Sequence, residues 1–270
     1  MRPSRYLPFA LAAAALATSC TYPRFIARRT ITDTVDLRGA QTLACNTHNG
    51  DITIHARPEA TAIQMRVEMS VRGYTQDEAD ENLRSLRVEP RTENGTLTLE
   101  GSYDSEVRRM SPSFSFHLDA PESLMTKLVT HNGDIDLQQL VGNVNAETHN
   151  GNIGLRDIAG DVRLHTHNGA VVASVAANAV ELVSHNGRIA LEVQGDGALD
   201  GSIVTHNGSV EVAVAESLGT VVDAYTHNGS LRLERGADGV RMRKRHLHCT
   251  LGNGGGELTV ETHNGSVVVR

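Results

Sequence analysis

The four letters Thr-His-Asn-Gly return along this chain at a nearly fixed step, and no other feature limits its fold so strongly. They stand at Thr130–Gly133, Thr148–Gly151 and Thr166–Gly169, 18 residues apart, and again as Ser184-His185-Asn186-Gly187. The step lengthens to 21 for Thr205–Gly208 and Thr226–Gly229; the motif closes at Thr262–Gly265, and an outlying copy sits at Thr47–Gly50. Self-similarity at a period near 20 residues marks a supersecondary unit that cannot bury its apolar face alone and must stack on its neighbours.

Each unit reads as two short strands and two turns. Asn152-Ile153-Gly154-Leu155 alternates apolar and polar positions, a turn runs from Asp157 to Gly160, and Val162-Arg163-Leu164-His165-Thr166 alternates again. Alternation over four to six residues is a strand signal. Asn-Gly tolerates positive φ and marks a tight turn, while Gly142, Gly160 and Gly201 punctuate the other end of the unit.

Two folds fit: an antiparallel meander of hairpins, which Asn-Gly alone favours, or a β-solenoid in which each unit is one coil. Equivalent turns lie about 4.8 Å apart in a solenoid and about twice that in a meander. Only the closer spacing lets identical side chains touch. The strands have drifted between units while Thr-His-Asn-Gly is nearly fixed, so those positions are expected to contact their own copies in ladders, which favours an all-β parallel solenoid.

The chain opens with Arg2 and Arg5 before an apolar stretch, Leu7 to Ala17, that is too short for the roughly 20 residues a bilayer span needs. Residues 1–19 are therefore expected to be an export signal. Leu16-Ala17-Thr18-Ser19-Cys20 resembles the lipobox of bacterial lipoproteins. That resemblance implies cleavage before Cys20, acylation of its thiol, residues 20–29 as a tether, and a lipid anchor in the cell envelope. Thr21 stands where an aspartate would resemble an inner-membrane retention signal, so the outer membrane is the expected address.

Without Arg2 and Arg5 the 25 basic residues fall to 23 against 32 acidic ones, a net of −9. Such a balance argues against nucleic acid as a partner. Aromatic side chains are 3% of the chain and tryptophan is absent, so stacking platforms for sugars or bases are missing. A membrane, through the anchor, and an envelope polymer or protein are the expected partners. Cys45 and Cys249 fall near opposite ends of a stack, about six coils or roughly 30 Å apart, whereas a disulfide needs Cα atoms within about 7 Å. They are predicted to be buried free thiols.

Residues 30–128 differ from the repeats at 129–270 and read as a β-rich N-terminal cap. Thr75-Gln76-Asp77-Glu78 is a capping box, and Ala79, Leu83 and Leu86 follow at helical spacing, predicting one short helix over 76–86. Leu86 to Glu100 reads as a hairpin about Asn94-Gly95, Ser113 to Leu118 as a strand stopping at Pro121, and Asp51 to His55 and Ile63 to Val71 as strands. This order, a first Asn-Gly coil, a strand, a short acidic helix, a hairpin, a strand ending in Ala120-Pro121, then Thr-x-Asn-Gly units, resembles the bacterial adhesin-type family of β-strand repeat domains over residues 30–270. The resemblance implies a right-handed parallel β-solenoid on an envelope-bound protein without an assigned active site. The residue before Asn-Gly is usually small or variable in that family; here it is histidine in every copy.

Strand parity puts Val162, Leu164 and Thr166 on one face and Arg163, His165 and His167 on the other. Stacking would then align His131, His149, His167, His185, His206 and His227 in an exposed file about 5 Å apart, with His263 at the far end. The plain reading is a turn residue stacking on its copies. The sharper one is a pH-responsive or divalent-metal stripe for zinc or copper, although zinc sites normally mix ligands at local spacing. Protonating neighbours this close is opposed by their repulsion. Arg241, Arg243, Lys244 and Arg245 form a basic run in an acidic chain, either a solvated segment or a dock for anionic polymer or lipid headgroups. Asn94, Asn207, Asn228 and Asn264 stand in sequons that are by-products of the turn, and Gly252–Gly256 precedes no helix. Acidic residues do not recur at one repeat position and no nucleophile motif appears, so catalysis is not expected.

Overall fold

The computed structural model describes residues 22–270; the export signal, the lipobox and Cys20 lie outside them. Within these residues the chain winds as parallel coils between two sheets, one of 11 strands and one of 14. Each coil gives one strand to each sheet. Val144–Asn150 lies beside Val162–Asn168 with Thr148 opposite Thr166, and Ile153–Ala159 lies beside Val171–Ala176. Parallel pairing of like strands excludes the meander.

Alternation places the core. In Val162–Asn168, Val162, Leu164 and Thr166 are buried while Arg163, His165 and His167 are exposed. One apolar core, filled by Leu, Ile, Val and Ala between the two sheets, runs from Val35 to Val269. No boundary between cores falls at residue 128, because Met125–Asn132 spans that point as one strand. The first coil is made far upstream: Thr42–Asn49 pairs with Met125–Asn132, and Ile52–Arg57 pairs with Ile135–Gln138. The outlying Thr47–Gly50 is thus the first rung of the stack.

The cap has the expected parts. Thr75 caps the helix Gln76–Ser85 by accepting from the Glu78 N–H at 3.2 Å, and the Glu78 carboxylate accepts from the Tyr74 N–H at 2.9 Å. Arg91–Glu93 and Thr96–Ser102 pair antiparallel about Asn94-Gly95, and Ser113–Pro121 runs on to its proline. Two features depart from expectation. A second short helix, of 3-10 type, occupies Ser105–Met110. The strand Phe25–Asp36 takes up residues 25–29 of the expected tether, because it pairs residue for residue with Ala62–Gly73 and bonds the inner side of its backbone as the edge of the sheet.

The glycine of the repeat is required for a different reason than positive φ. Gly50 alone among the corner glycines has it, at 124°. At Gly151, Gly169 and Gly187 an added Cβ would lie 1.9, 1.9 and 1.8 Å from the carbonyl oxygen of the corner glycine one coil earlier. Glycine is needed because one corner backbone rests on the next.

The far end is out of chain order. Leu218–Asn228 leaves one rung open, and Glu257–Asn264 fills it by pairing with Asp200–Asn207 on one side and Leu218–Asn228 on the other. Between them the chain makes an antiparallel hairpin, Asp238–Arg243 with His246–Leu251, beyond Leu218–Asn228. Cys45 and Cys249 are both buried free thiols, as expected, and burial pushes both up in pKa. Eight strand-to-strand steps along the larger sheet separate them.

Candidate functional site

Each letter of the repeated tetrad makes a separate ladder along one edge of the stack. Thr166 faces inward with no exposed surface, and its Oγ1 donates to the Gly151 carbonyl oxygen at 2.8 Å; Thr148 does the same to Gly133 at 2.9 Å. Asn168 Nδ2 donates to Asn150 Oδ1 at 2.9 Å, and Asn150 Nδ2 to Asn132 Oδ1 at 2.8 Å. The amide chain starts on the cap, where Asn49 Nδ2 donates to the Pro112 carbonyl at 3.0 Å. It ends at Asn228, which donates to Asn264. Next to it, Asp51 and Asp134 each accept a backbone N–H from the following coil, at 2.9 and 2.7 Å.

The predicted histidines come together as one exposed file, longer than expected at one end and reordered at the other. Ring centroids are 4.7 Å apart for His131 and His149, 4.7 Å for His149 and His167, 4.8 Å for His167 and His185, and 5.0 Å for His185 and His206. His48 joins below His131 at 4.8 Å. His263 is not terminal: it stacks on His206 at 4.7 Å and on His227 at 4.6 Å, and His227 ends the file. The signal for His48 was its own Thr-His-Asn-Gly. Nothing local announced the exchange of His227 and His263, which the late insertion of Glu257–Asn264 imposes.

The rings are stacked with interplanar angles between 3° and 22°. An imidazole lone pair lies in the ring plane, so parallel rings aim their nitrogens side by side and not at a shared point between coils. Zinc needs its ligands to converge tetrahedrally at about 2.0–2.1 Å. Among the described residues no group of three or more His, Cys, Asp or Glu side chains is placed to hold a metal ion. The stack is built for ring contact. Loss of water between rings, followed by the charges of His48 and His149, holds His131 below the usual histidine range.

A second cluster escaped the sequence. On the outer face of the larger sheet His246 Nε2 and His248 Nδ1 both lie on Asp223 Oδ1, at 3.1 and 2.9 Å, and Tyr225 stacks on His246 with centroids 4.3 Å apart. Burial opposes ionisation of Asp223, but the hydrogen bonds from His248 and His246 prevail and hold its carboxyl below the usual range. His246 and His248 directly follow the basic run in sequence, but nothing there points to Asp223 on the neighbouring strand.

The basic run folds as the terminal hairpin. Arg241 and Arg243 lie on the edge strand Asp238–Arg243, in which every residue is exposed, and Lys244 and Arg245 form the turn. Two open grooves mark the sheet faces. One of about 660 Å³ lies on the smaller sheet over Gly154, Val172 and Ala190, between Asp136 and Arg270. There loss of water contact, with the carboxylates of Asp134 and Asp51, raises Asp136 above its ordinary value. The other, about 620 Å³, lies on the larger sheet beside the Arg163–Glu181 ion pair.

Solved structures similar to the chain include a candidate cell-adhesion protein from Clostridium sporogenes, 14% identical, covering 90% of this chain and 99% of that one, with a TM-score of 0.34. A candidate adhesin from Bacteroides fragilis is 16% identical over 90% of this chain and 97% of its own, with a TM-score of 0.40. Another, from Parabacteroides distasonis, is 11% identical over 89% and 97%, with a TM-score of 0.41. Among curated proteins none matches. The family model Toastrack DUF4097 matches residues 42–270, nearly the whole of the described fold, and the chain belongs to that family.

Proposed function

We propose that this protein is a non-catalytic scaffold of the bacterial cell envelope, lipid-anchored through Cys20 at the outer membrane, that presents its long sheet faces and its histidine–asparagine edge to a partner in the manner of an adhesin. The observation that carries this reading is the use of the repeated polar positions. Thr and Asn of each coil are hydrogen-bonded to the neighbouring coil and each His ring stacks on its copy, and so the repeated tetrad serves to build the rod. Both large grooves lie open on sheet faces, where they suit a long partner better than a small enclosed one.

Cells carrying the chain should attach to one another or to a coated surface several-fold more than cells carrying the Cys20→Ser form. The variant protein should leave the membrane fraction or remain a longer precursor. Equal attachment by both cell types would reject the adhesin role, and unchanged fractionation and size would reject the anchor, so the two parts fail separately.

A further inference from the structure

The larger sheet runs two strands past the end of the smaller one. After Leu218–Asn228, which belongs to the last full coil, it gains His246–Leu251 and then Asp238–Arg243. His246–Leu251 still closes the core, since Leu247, Cys249 and Leu251 are fully buried. Asp238–Arg243 does not: Val240 and Met242 are 45% and 49% exposed. Alternation sends Met242 to one side of the strand and Arg241 and Arg243 to the other, while Val240 stands in the bulge that shifts the pairing between Asp238 and Arg241. None of Arg241, Arg243, Lys244 and Arg245 takes part in an ion pair among the described residues. Asp223, on the next strand but one, is held by His246 and His248.

We propose that this hairpin edge is a docking element for an anionic lipid surface, with Val240 and Met242 entering the headgroup layer and Arg241, Arg243, Lys244 and Arg245 on lipid phosphates. An edge strand with exposed apolar side chains on one side, and on the other side and in its turn unpaired cations on long flexible stems, matches a surface that offers negative headgroups over hydrocarbon when it enters edge-on. A soluble polyanion would satisfy the cations and leave the apolar pair in water. A second copy pairing antiparallel along the same edge would set arginines against arginines, the arrangement by which charged edges resist pairing. The proposal takes its setting from the envelope reading, but its test does not depend on the anchor.

Met242→Cys, made in the full chain with Cys20→Ser, carries a polarity-sensitive fluorophore; Cys45 and Cys249 are buried and stay unlabelled. With phosphatidylglycerol vesicles the emission should shift to the blue, and with phosphatidylcholine vesicles it should not. Replacing Arg241, Arg243, Lys244 and Arg245 by Ser should raise the lipid concentration needed for the shift about 600-fold, because each of the four cations beside an anionic leaflet raises binding about five-fold. The charge-preserving variant with Arg241, Arg243 and Arg245 replaced by Lys should keep the shift. No shift, an equal shift with neutral vesicles, an undiminished shift in the serine variant or its loss in the lysine variant overturns the proposal. Inorganic polyphosphate producing the same shift without vesicles would assign the hairpin to a soluble polyanion, and also overturns it.

Discussion

The Asn94-Gly95 turn of the cap and the Asn-Gly corners of the stack share a dipeptide and share no reason for it. At the turn both residues are left-handed, with φ of 49° and 74°, and nothing lies within 4 Å of where a Gly95 Cβ would stand. At the corner of Asn168-Gly169 no left-handed φ occurs, yet a Cβ on Gly169 would be 1.9 Å from the Gly151 carbonyl oxygen. The asparagines differ in the same way. Asn168 gives an amide hydrogen to Asn150 and accepts one from Asn186. The lesson is that Asn-Gly reports a torsion angle in a hairpin and a contact distance in a stack.

The contrast makes a ranked set of predictions. Gly169→Ala should cost the most, about 3 kcal/mol or more, because the clash is with backbone that cannot rotate away; denaturant unfolding measures it, and a loss below that of Gly95→Ala would break the comparison. Thr166→Val keeps the shape but leaves the Gly151 carbonyl without its buried hydroxyl donor, a loss of about 1–3 kcal/mol in the same experiment. Gly95→Ala meets only the left-handed cost, about 1–2 kcal/mol, and Gly95→Asn should recover part of it. A full recovery of Gly169 by Asn would contradict the distance argument.

The smallest effect is the most diagnostic of the histidine file. His131 titrates below its unfolded value near pH 6.5, so the unfolded chain binds more protons just below that pH. Its contribution to stability is present above about pH 6.5 and is lost as pH falls through the lowered folded value. The melting temperature should therefore be lower at pH 5.5 than at pH 7.5, and replacing His149, whose ring covers His131 and whose charge opposes its protonation, by Ser should shrink that difference. Zinc at pH 7.5 should leave the melting temperature where it is; a rise would mean that the rings turn out of their stack to converge on the ion.

Most of the repeat region was legible because its information is periodic. Parity alone placed Val162 and Leu164 in the core and His167 outside, and the fixed spacing of a drifting strand set implied that Thr, His and Asn met their own copies. Legibility ended where contacts depend on the path of the chain. The exchange of the last two rungs follows from a strand inserted between two others, and the meeting of Asp223 with His246 and His248 follows from the hairpin that this detour creates. The 3-10 helix at Ser105–Met110 carries no long periodic signal, and only Val107 of it is buried. Cys20 lies outside the described residues, so the expected lipid anchor and address rest on the sequence.

Glu257–Asn264 occupies a slot between strands that precede it in the chain, and this sets a rule for biosynthesis. A chain growing from its N-terminus can stack coils as they emerge, up to Asp200–Asn207, but until Glu257–Asn264 is made Leu218–Asn228 has a parallel neighbour only at Leu218 and Gly219, which pair with Gly197 and Ala198. The rod is therefore sealed by a segment made after both strands that it joins. A ribosome that stalls before Glu257, or a protease that removes Glu257–Asn264, would leave most of Leu218–Asn228 and the hairpin without their seat.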